Sequence, residues 1–250
     1  MTMSIPLALC DLFPGTPTRS FVTTRFGSCE QGQILSEMFP ERVVRMQQTH
    51  SANVVCYRPV AGPDLAWHPD GRETPVSSPL PSEGGICIPD TDALWTAETD
   101  TLLLVKTADC LPLSFYHPAG IVGVIHAGRK GLNTGIIANT FRDVCQALQH
   151  PKSYDISLKK NNTPTPFPFW IHYGPSICVH CYQIDRDINL HMDLRQHAVL
   201  QVQKALAGHV LRETFSPFCT ACHRHLFFSY RGGDATDRLY SGIVRPGQGM

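Results

Sequence analysis

The side chains in this sequence best suited to chemistry are its histidines and cysteines, twelve and ten of them in 250 residues. Zinc takes imidazole and thiolate ligands and, in a catalytic site, keeps a fourth position open. His50, Cys110 and His126 would make such a set. With so many histidines and cysteines such a set also arises by chance, and Cys110 with His126 would serve equally as a thiolate–imidazole nucleophile pair without metal. Two further pairs, Cys178–Cys181 and Cys219–Cys222, have CxxC spacing, and two such pairs can make a structural zinc site. Their separation exceeds the usual ribbon spacing, so the expectation is that they hold no second zinc and remain free thiols. Copper oxidase chemistry needs several His-x-His pairs and a Cys–His–Met arrangement. The chain offers His223–His225 alone, which supports that chemistry poorly.

The elements that must position these groups lie between residues 101 and 148. Thr101–Asp109, Leu113–Tyr116 and Ile121–Ile125 have the pattern of buried strands, and residues 117–120, His-Pro-Ala-Gly, read as a turn. The last two strands therefore form a hairpin. Folding it about residue 118 brings position 110 opposite 126 or 127, so that Cys110 and His126 meet. After His126 a glycine-rich turn leads into a helix over Leu132–Leu148. Such a turn presents backbone N–H groups to an anion, with charge added by Arg129 and Lys130. A second helix is predicted over Asp193–Ala207, capped by Asp193, with Leu194, Ala198, Val202, Ala205 and Leu206 on one face and Gly208 ending it.

Composition narrows the class of protein. A hydrophobic share of 42% and a charged share of 17% are those of a folded chain, and the length suits one large domain. Net charge is zero with histidine neutral, which argues against nucleic acid or an anionic membrane as main partner. The N-terminal stretch carries no basic residue before its apolar run and meets Pro14 quickly, so no secretory signal is expected. No apolar stretch is long enough to span a bilayer. A cytoplasmic location with reduced thiols follows as the expectation. Two stretches rich in proline, about 59–89 and 151–168, read as insertions within a single domain spanning 1–250.

Several short runs share the order of one family. They are ThrThrArgPheGly (23–27), GlnThrHis (48–50), ThrAspAlaLeu (91–94), ThrAlaAspCysLeuPro (107–112), HisAlaGly (126–128), GlyProSerIle (174–177), CysTyr (181–182), CysThr (219–220) and PhePheSerTyrArg (227–231). From about Phe21 to Ile243 the sequence resembles the purine nucleoside phosphorylases formerly described as multicopper polyphenol oxidoreductases, or laccase-domain proteins. The resemblance implies an α+β fold, with mixed β-sheets sandwiched by helices in α/β/β/α layers, similar to a bacterial toxin Cys–His hydrolase. It also implies zinc held by His50, Cys110 and His126, with copper as the other metal associated with the family. The activities implied are phosphorolysis of adenosine, inosine, guanosine and methylthioadenosine, adenosine deamination, and copper-dependent phenol oxidation. Purine nucleoside and phosphate are then the expected partners.

Two positions depart from the family pattern. Arg129 stands where a tryptophan is usual, and Ser51 where a glycine is usual. For deamination the ammonia leaving group needs an acid, and the His-x-Glu of other zinc deaminases is absent, leaving Asp109 or Asp92 to act with Cys110 and His126. For phosphorolysis the candidate anion-binding residues are Arg25, Lys130 and Arg231.

Overall fold

The computed structural model of the chain describes residues 8–10, 12–25, 42–59, 65–67, 73–75, 85–154 and 168–247. Runs of branched aliphatic and aromatic residues form its two large sheets. The six-stranded sheet has the order β1 (Ala8–Cys10), β2 (Arg19–Thr23), β16 (Leu239–Val244), β9 (Thr101–Thr107), β3 (Arg42–Met46), β7 (Ile86–Ile88). The eight-stranded sheet runs β15 (Leu211–Phe215), β12 (Phe169–Tyr173), β10 (Leu111–His117), β11 (Ile121–Ala127), β8 (Ala93–Thr96), β4 (Val54–Arg58), β5 (Leu65–Trp67), β6 (Glu73–Pro75). Both are mixed: β3 pairs in parallel with β7 and β9, and β12 with β15, while their other neighbours are mostly antiparallel. A small hairpin, β13 (Gln183–Asp185) with β14 (Leu190–His191), stands apart from them.

Burial explains the layering. Every residue of β10 and β11 is buried, as expected for strands covered on both faces. One face packs against the six-stranded sheet through Val122, Val124 and Tyr116, which meet Val44, Leu103, Val105 and Ile243. The other face carries Phe115, Ile125 and Trp95 toward helices α2 (Ile136–Gln149) and α3 (Leu194–Ala205). Among the described residues, helices cover this outer face of the eight-stranded sheet only. The outer face of the six-stranded sheet is also apolar, with Phe21, Leu102, Leu104 and Val244 clustered there.

The predicted second helix agrees closely. Asp193 caps α3 by accepting a hydrogen bond from Gln196 N, Leu194, Ala198 and Val202 are buried, and Gly208 follows with φ 87°. The helix expected over 132–148 starts earlier and is broken. Helix α1 (Arg129–Thr134) ends at Gly135, whose φ of 90° closes it and opens α2. Both hairpin strands extend further than their patterns indicated. The stretch at 59–89 is not a simple excursion, since β5 and β6 widen one sheet and β7 closes the edge of the other. Of the stretch at 151–168, only a 3-10 turn at Pro151–Tyr154 and Pro168 lie within the described residues.

One buried histidine gives the fold an acid sensitivity. His172 on β12 pairs its Nδ1 with Thr214 Oγ1 at 2.9 Å. Burial, with the charge of Arg195 adding to it, holds its pKa at about 4. An unfolded chain takes up this proton near pH ~6.5. Between those two values the unfolded state binds more protons, so stability falls as pH drops through the window. His172→Gln should reduce by about 2 kcal/mol the loss of unfolding free energy between pH 7 and pH 5. Urea titrations of both proteins at the two pH values check it; identical pH dependence would contradict it.

Candidate active site

The site is assembled around a buried carboxylate. Asp92, immediately before β8, is fully buried. Its Oδ2 accepts from Thr49 N at 3.1 Å, Ser51 N at 2.7 Å and Ser51 Oγ at 2.8 Å, and its Oδ1 accepts from His50 N at 3.1 Å. An ionised carboxylate has room for this many donors. These bonds hold the 49–51 loop in a shape that L residues rarely adopt: His50 has φ 62°. Gln48 fixes the loop from the other side, pairing its carboxamide with both Lys106 N and Lys106 O of β9. Ser51 adds a hydroxyl to the same carboxylate.

Asp92 also orients the second histidine. His126 Nδ1 donates to Asp92 Oδ1 at 2.7 Å, which directs Nε2 away from the carboxylate. The hairpin register places Pro112 opposite His126 and Leu111 opposite Ala127. Position 110 therefore faces 128, not 126 or 127, because Pro118–Ala119–Gly120 forms a three-residue loop with Gly120 at φ 107°. Cys110 and His126 meet as diagonal neighbours two residues out of register, which keeps them on the same face.

The three ligand atoms of His50, Cys110 and His126 lie within 4.8 Å of one another, with Cys110 Sγ 3.9 Å from His50 Nε2. Tetrahedral zinc at ordinary bond lengths needs sulfur and nitrogen about 3.6 Å apart, so a small closure suffices. Gly128 keeps this space open: a Cβ there would lie 2.9 Å from Cys110 Sγ and 3.1 Å from His50 Cδ2. Burial alone would raise the Cys110 thiol, but hydrogen bonds and charge from His126 and His50 overcome it and hold it at about 6. Thiolate is the form that binds metal or attacks an electrophile. Burial likewise opposes the charged forms of His126 and Asp92, and their mutual bond outweighs it, with His126 at about 9 and Asp92 at about 2.

The trio opens into a cavity of about 840 Å³. Lys106, Arg129, Lys130, Arg231 and Arg238 line it, with Asp109 the one acidic wall residue among those described. A chain of zero net charge thus concentrates positive charge at one place. Lys130 and Arg231, two of the candidate anion-binding residues, lie on this wall. Arg25 does not line the cavity: its Nη2 bonds Asp234 Oδ1 at 2.9 Å, and its guanidinium lies over the Phe228 ring. Lys106 and Arg238 escaped sequence reading because nothing local marks them. Helix α1 is six residues long, and Arg129 and Lys130 in its first turn bring positive charge to the cavity.

The two carboxylates proposed as acids are both engaged. Asp92 is committed to His126 and the 49–51 loop. Asp109, at φ 91°, accepts from Thr220 Oγ1 on Oδ1 and from Arg231 N on Oδ2, each at 2.7 Å. Their geometry is that of positioning residues: Asp92 holds the two histidines, and Asp109 shapes the turn that presents Cys110.

The CxxC pairs, expected to hold no second zinc, are brought together. Cys178, Cys181, Cys219 and Cys222 have all four sulfurs within 4.8 Å of one another. Adjacent parallel strands β12 and β15 deliver both motifs to the same end of the sheet, and Ser176 bridges to Cys219 just beyond it. Sequence separation is a poor guide when parallel pairing spans it.

Comparison with known proteins bears on the family and the fold. The chain is 29% identical over 217 residues to a protein named purine nucleoside phosphorylase ORF3 from Streptomyces griseus, covering 80% of this chain and 73% of that one. It is 27% identical over 180 residues to a protein named adenosine deaminase RL5 from an unknown prokaryotic organism, covering 62% of each. The crystal structure of YlmD from Geobacillus stearothermophilus shares the fold, with a TM-score of 0.68 at 23% identity and 98% of both chains covered. The family described as multi-copper polyphenol oxidoreductase laccase matches residues 30–211, and this chain belongs to it.

Proposed function

We propose that this protein is a zinc-dependent purine nucleoside phosphorylase acting on adenosine, inosine, guanosine and methylthioadenosine, with adenosine deamination as a second activity of the same site. The observation that carries the proposal is the shared cavity: a His–Cys–His trio on one wall and five cationic side chains around it. The names of the relatives support it, several being purine nucleoside phosphorylases and one an adenosine deaminase.

In phosphorolysis a phosphate oxygen forms a bond to the sugar C1′ while the C1′–N9 bond breaks and its electron pair leaves with the purine. Lys130 and Arg231 hold the phosphate dianion, and their fixed charge favours the transition state over bulk water. Tyr182 lies on the cavity wall, beneath the Arg231 guanidinium. Burial first, and the neighbouring Cys110 thiolate second, raise its phenol pKa, so it stays neutral and offers the base an aromatic face and an O–H donor. His50, Cys110 and His126 would hold the zinc, which when bound would supply Lewis acidity. Asp92 keeps His126 in the tautomer that presents Nε2.

A second reading has one observation in its favour. Cys110, His126 and Asp92 stand in the order of a thiolate–imidazole–carboxylate hydrolase, which needs no metal. Such a triad leaves His50 unused, although Asp92 and Gln48 are both spent on placing the His50 loop. Copper-dependent phenol oxidation rests on the family's name.

The test is base release from inosine followed under argon. Turnover that requires phosphate and not oxygen is expected; a requirement for oxygen would sink the proposal in favour of an oxidase. Survival after chelation, with loss on thiol alkylation, would favour the hydrolase. Lys130→Ala should raise the KM for phosphate roughly tenfold or more with zinc content unchanged, the loss expected for one charge-assisted contact. An unchanged phosphate KM would remove Lys130 from the anion site.

A further inference from the structure

We propose that Cys178, Cys181, Cys219 and Cys222 bind a second, structural zinc ion. Four sulfurs within 4.8 Å of one another approach the spacing of about 3.8 Å that tetrahedral zinc–thiolate bonds of ~2.3 Å impose. All four are free cysteines. Cys181 Sγ lies 3.5 Å from Cys222 Sγ, far beyond a disulfide bond of ~2.05 Å and close to the spacing of two ligands on one metal.

The backbone is already arranged for thiolates. Cys219 Sγ accepts N–H bonds from Cys178 at 3.2 Å and from Cys222 at 3.4 Å. The first turn is closed by Cys181 N and Tyr182 N, both bonded to Cys178 O. Each CxxC thus sits on a tight turn with its sulfurs pointing to one centre, and bonds from N–H to sulfur offset negative charge there. Four ligands leave no open coordination position, so the site is structural.

Its place in the fold gives the ion a task. Thr220, between two of the ligands, donates to Asp109 Oδ1. Ile177, adjacent to Cys178, donates its N–H to Asp109 O at 2.9 Å. The four-cysteine site therefore clamps the connections after β12 and β15 onto the turn that presents Cys110, and it fixes Tyr182, the residue after Cys181, on the cavity wall. A loosened clamp disturbs the active site without touching any residue that contacts substrate.

The experiment is metal analysis of the full-length protein, purified without chelator and dialysed, together with cobalt(II) reconstitution. Wild type should hold two zinc ions per chain. Cys110→Ala should keep one, and its cobalt form should show the intense sulfur-to-metal charge-transfer band of a tetrathiolate. The double variant Cys181→Ser with Cys222→Ser, both at the more exposed side of the cluster, should lose one zinc while its remaining cobalt spectrum is that of a site with one sulfur. Wild type with one zinc, fully lost on Cys110→Ala, would overturn the proposal. So would a Cys181–Cys222 disulfide found by mass spectrometry in zinc-saturated wild-type protein, a measurement that does not depend on the variants folding. These readouts are independent of nucleoside turnover, so the phosphorylase reading stands or falls separately.

Discussion

Replacing Cys110 with alanine should abolish zinc binding at the His50–Cys110–His126 site and lower phosphorolysis by three orders of magnitude or more. That is about 4 kcal/mol or more of barrier, the scale of Lewis-acid stabilisation at a reacting oxygen. Folding should survive. Cys110 sits on a partly exposed turn, and the strands that follow keep their core contacts through Leu111, Leu113 and Phe115. Circular dichroism and thermal unfolding of the variant should match wild type once both are compared without zinc. The two histidines left behind form a two-ligand site, too weak to retain zinc through dialysis.

The second large effect is expected at Asp92, which touches no substrate. Asp92→Asn keeps the size of the side chain but replaces one acceptor oxygen with an NH₂ donor. Whichever way the carboxamide turns, that donor faces either Thr49 N and Ser51 N or the His126 and His50 side. A carboxylate behind a metal-ligating imidazole is worth roughly 10–100-fold in metal affinity or activity. Here the same group also holds the backbone of His50, so the upper end of that range is expected. The loss should appear first as weakened zinc affinity, measured by competition with a chromophoric chelator. If zinc affinity stays at the wild-type value while turnover falls, Asp92 acts in proton transfer and its positioning role is wrong.

How far the sequence foretold this site differs from residue to residue. Strands β9, β10 and β11 were legible because they are long apolar runs bounded by turn residues, and α3 because a capping aspartate and a 3.6-residue period agree. The hairpin centre was misjudged by one position, since the sequence does not say whether Pro118 or Ala119 occupies the middle of the loop. The break at Gly135 was invisible because a glycine inside a helical pattern is usually tolerated. Asp92 was noticed as a carboxylate, but its role depends on backbone N–H groups some forty residues earlier in the chain, which no local pattern records. Arg25 lies in a family-like run, and no local pattern shows that its guanidinium pairs with Asp234 away from the cavity wall. Sequence separation argues against the four-cysteine cluster, and parallel pairing of β12 with β15 cancels that separation.

Phosphorolysis at the cavity that holds His50, Cys110 and His126 is tested by product analysis. Purified, zinc-replete protein is incubated with adenosine, with and without inorganic phosphate, and the products are separated by chromatography and followed by phosphorus NMR. Adenine and ribose 1-phosphate are expected in equal amounts when phosphate is present, with little free adenine without it and a smaller inosine product independent of phosphate. Free ribose and adenine formed at the same rate with and without phosphate, or adenosine left intact by a protein shown to hold zinc at His50, Cys110 and His126, would contradict it.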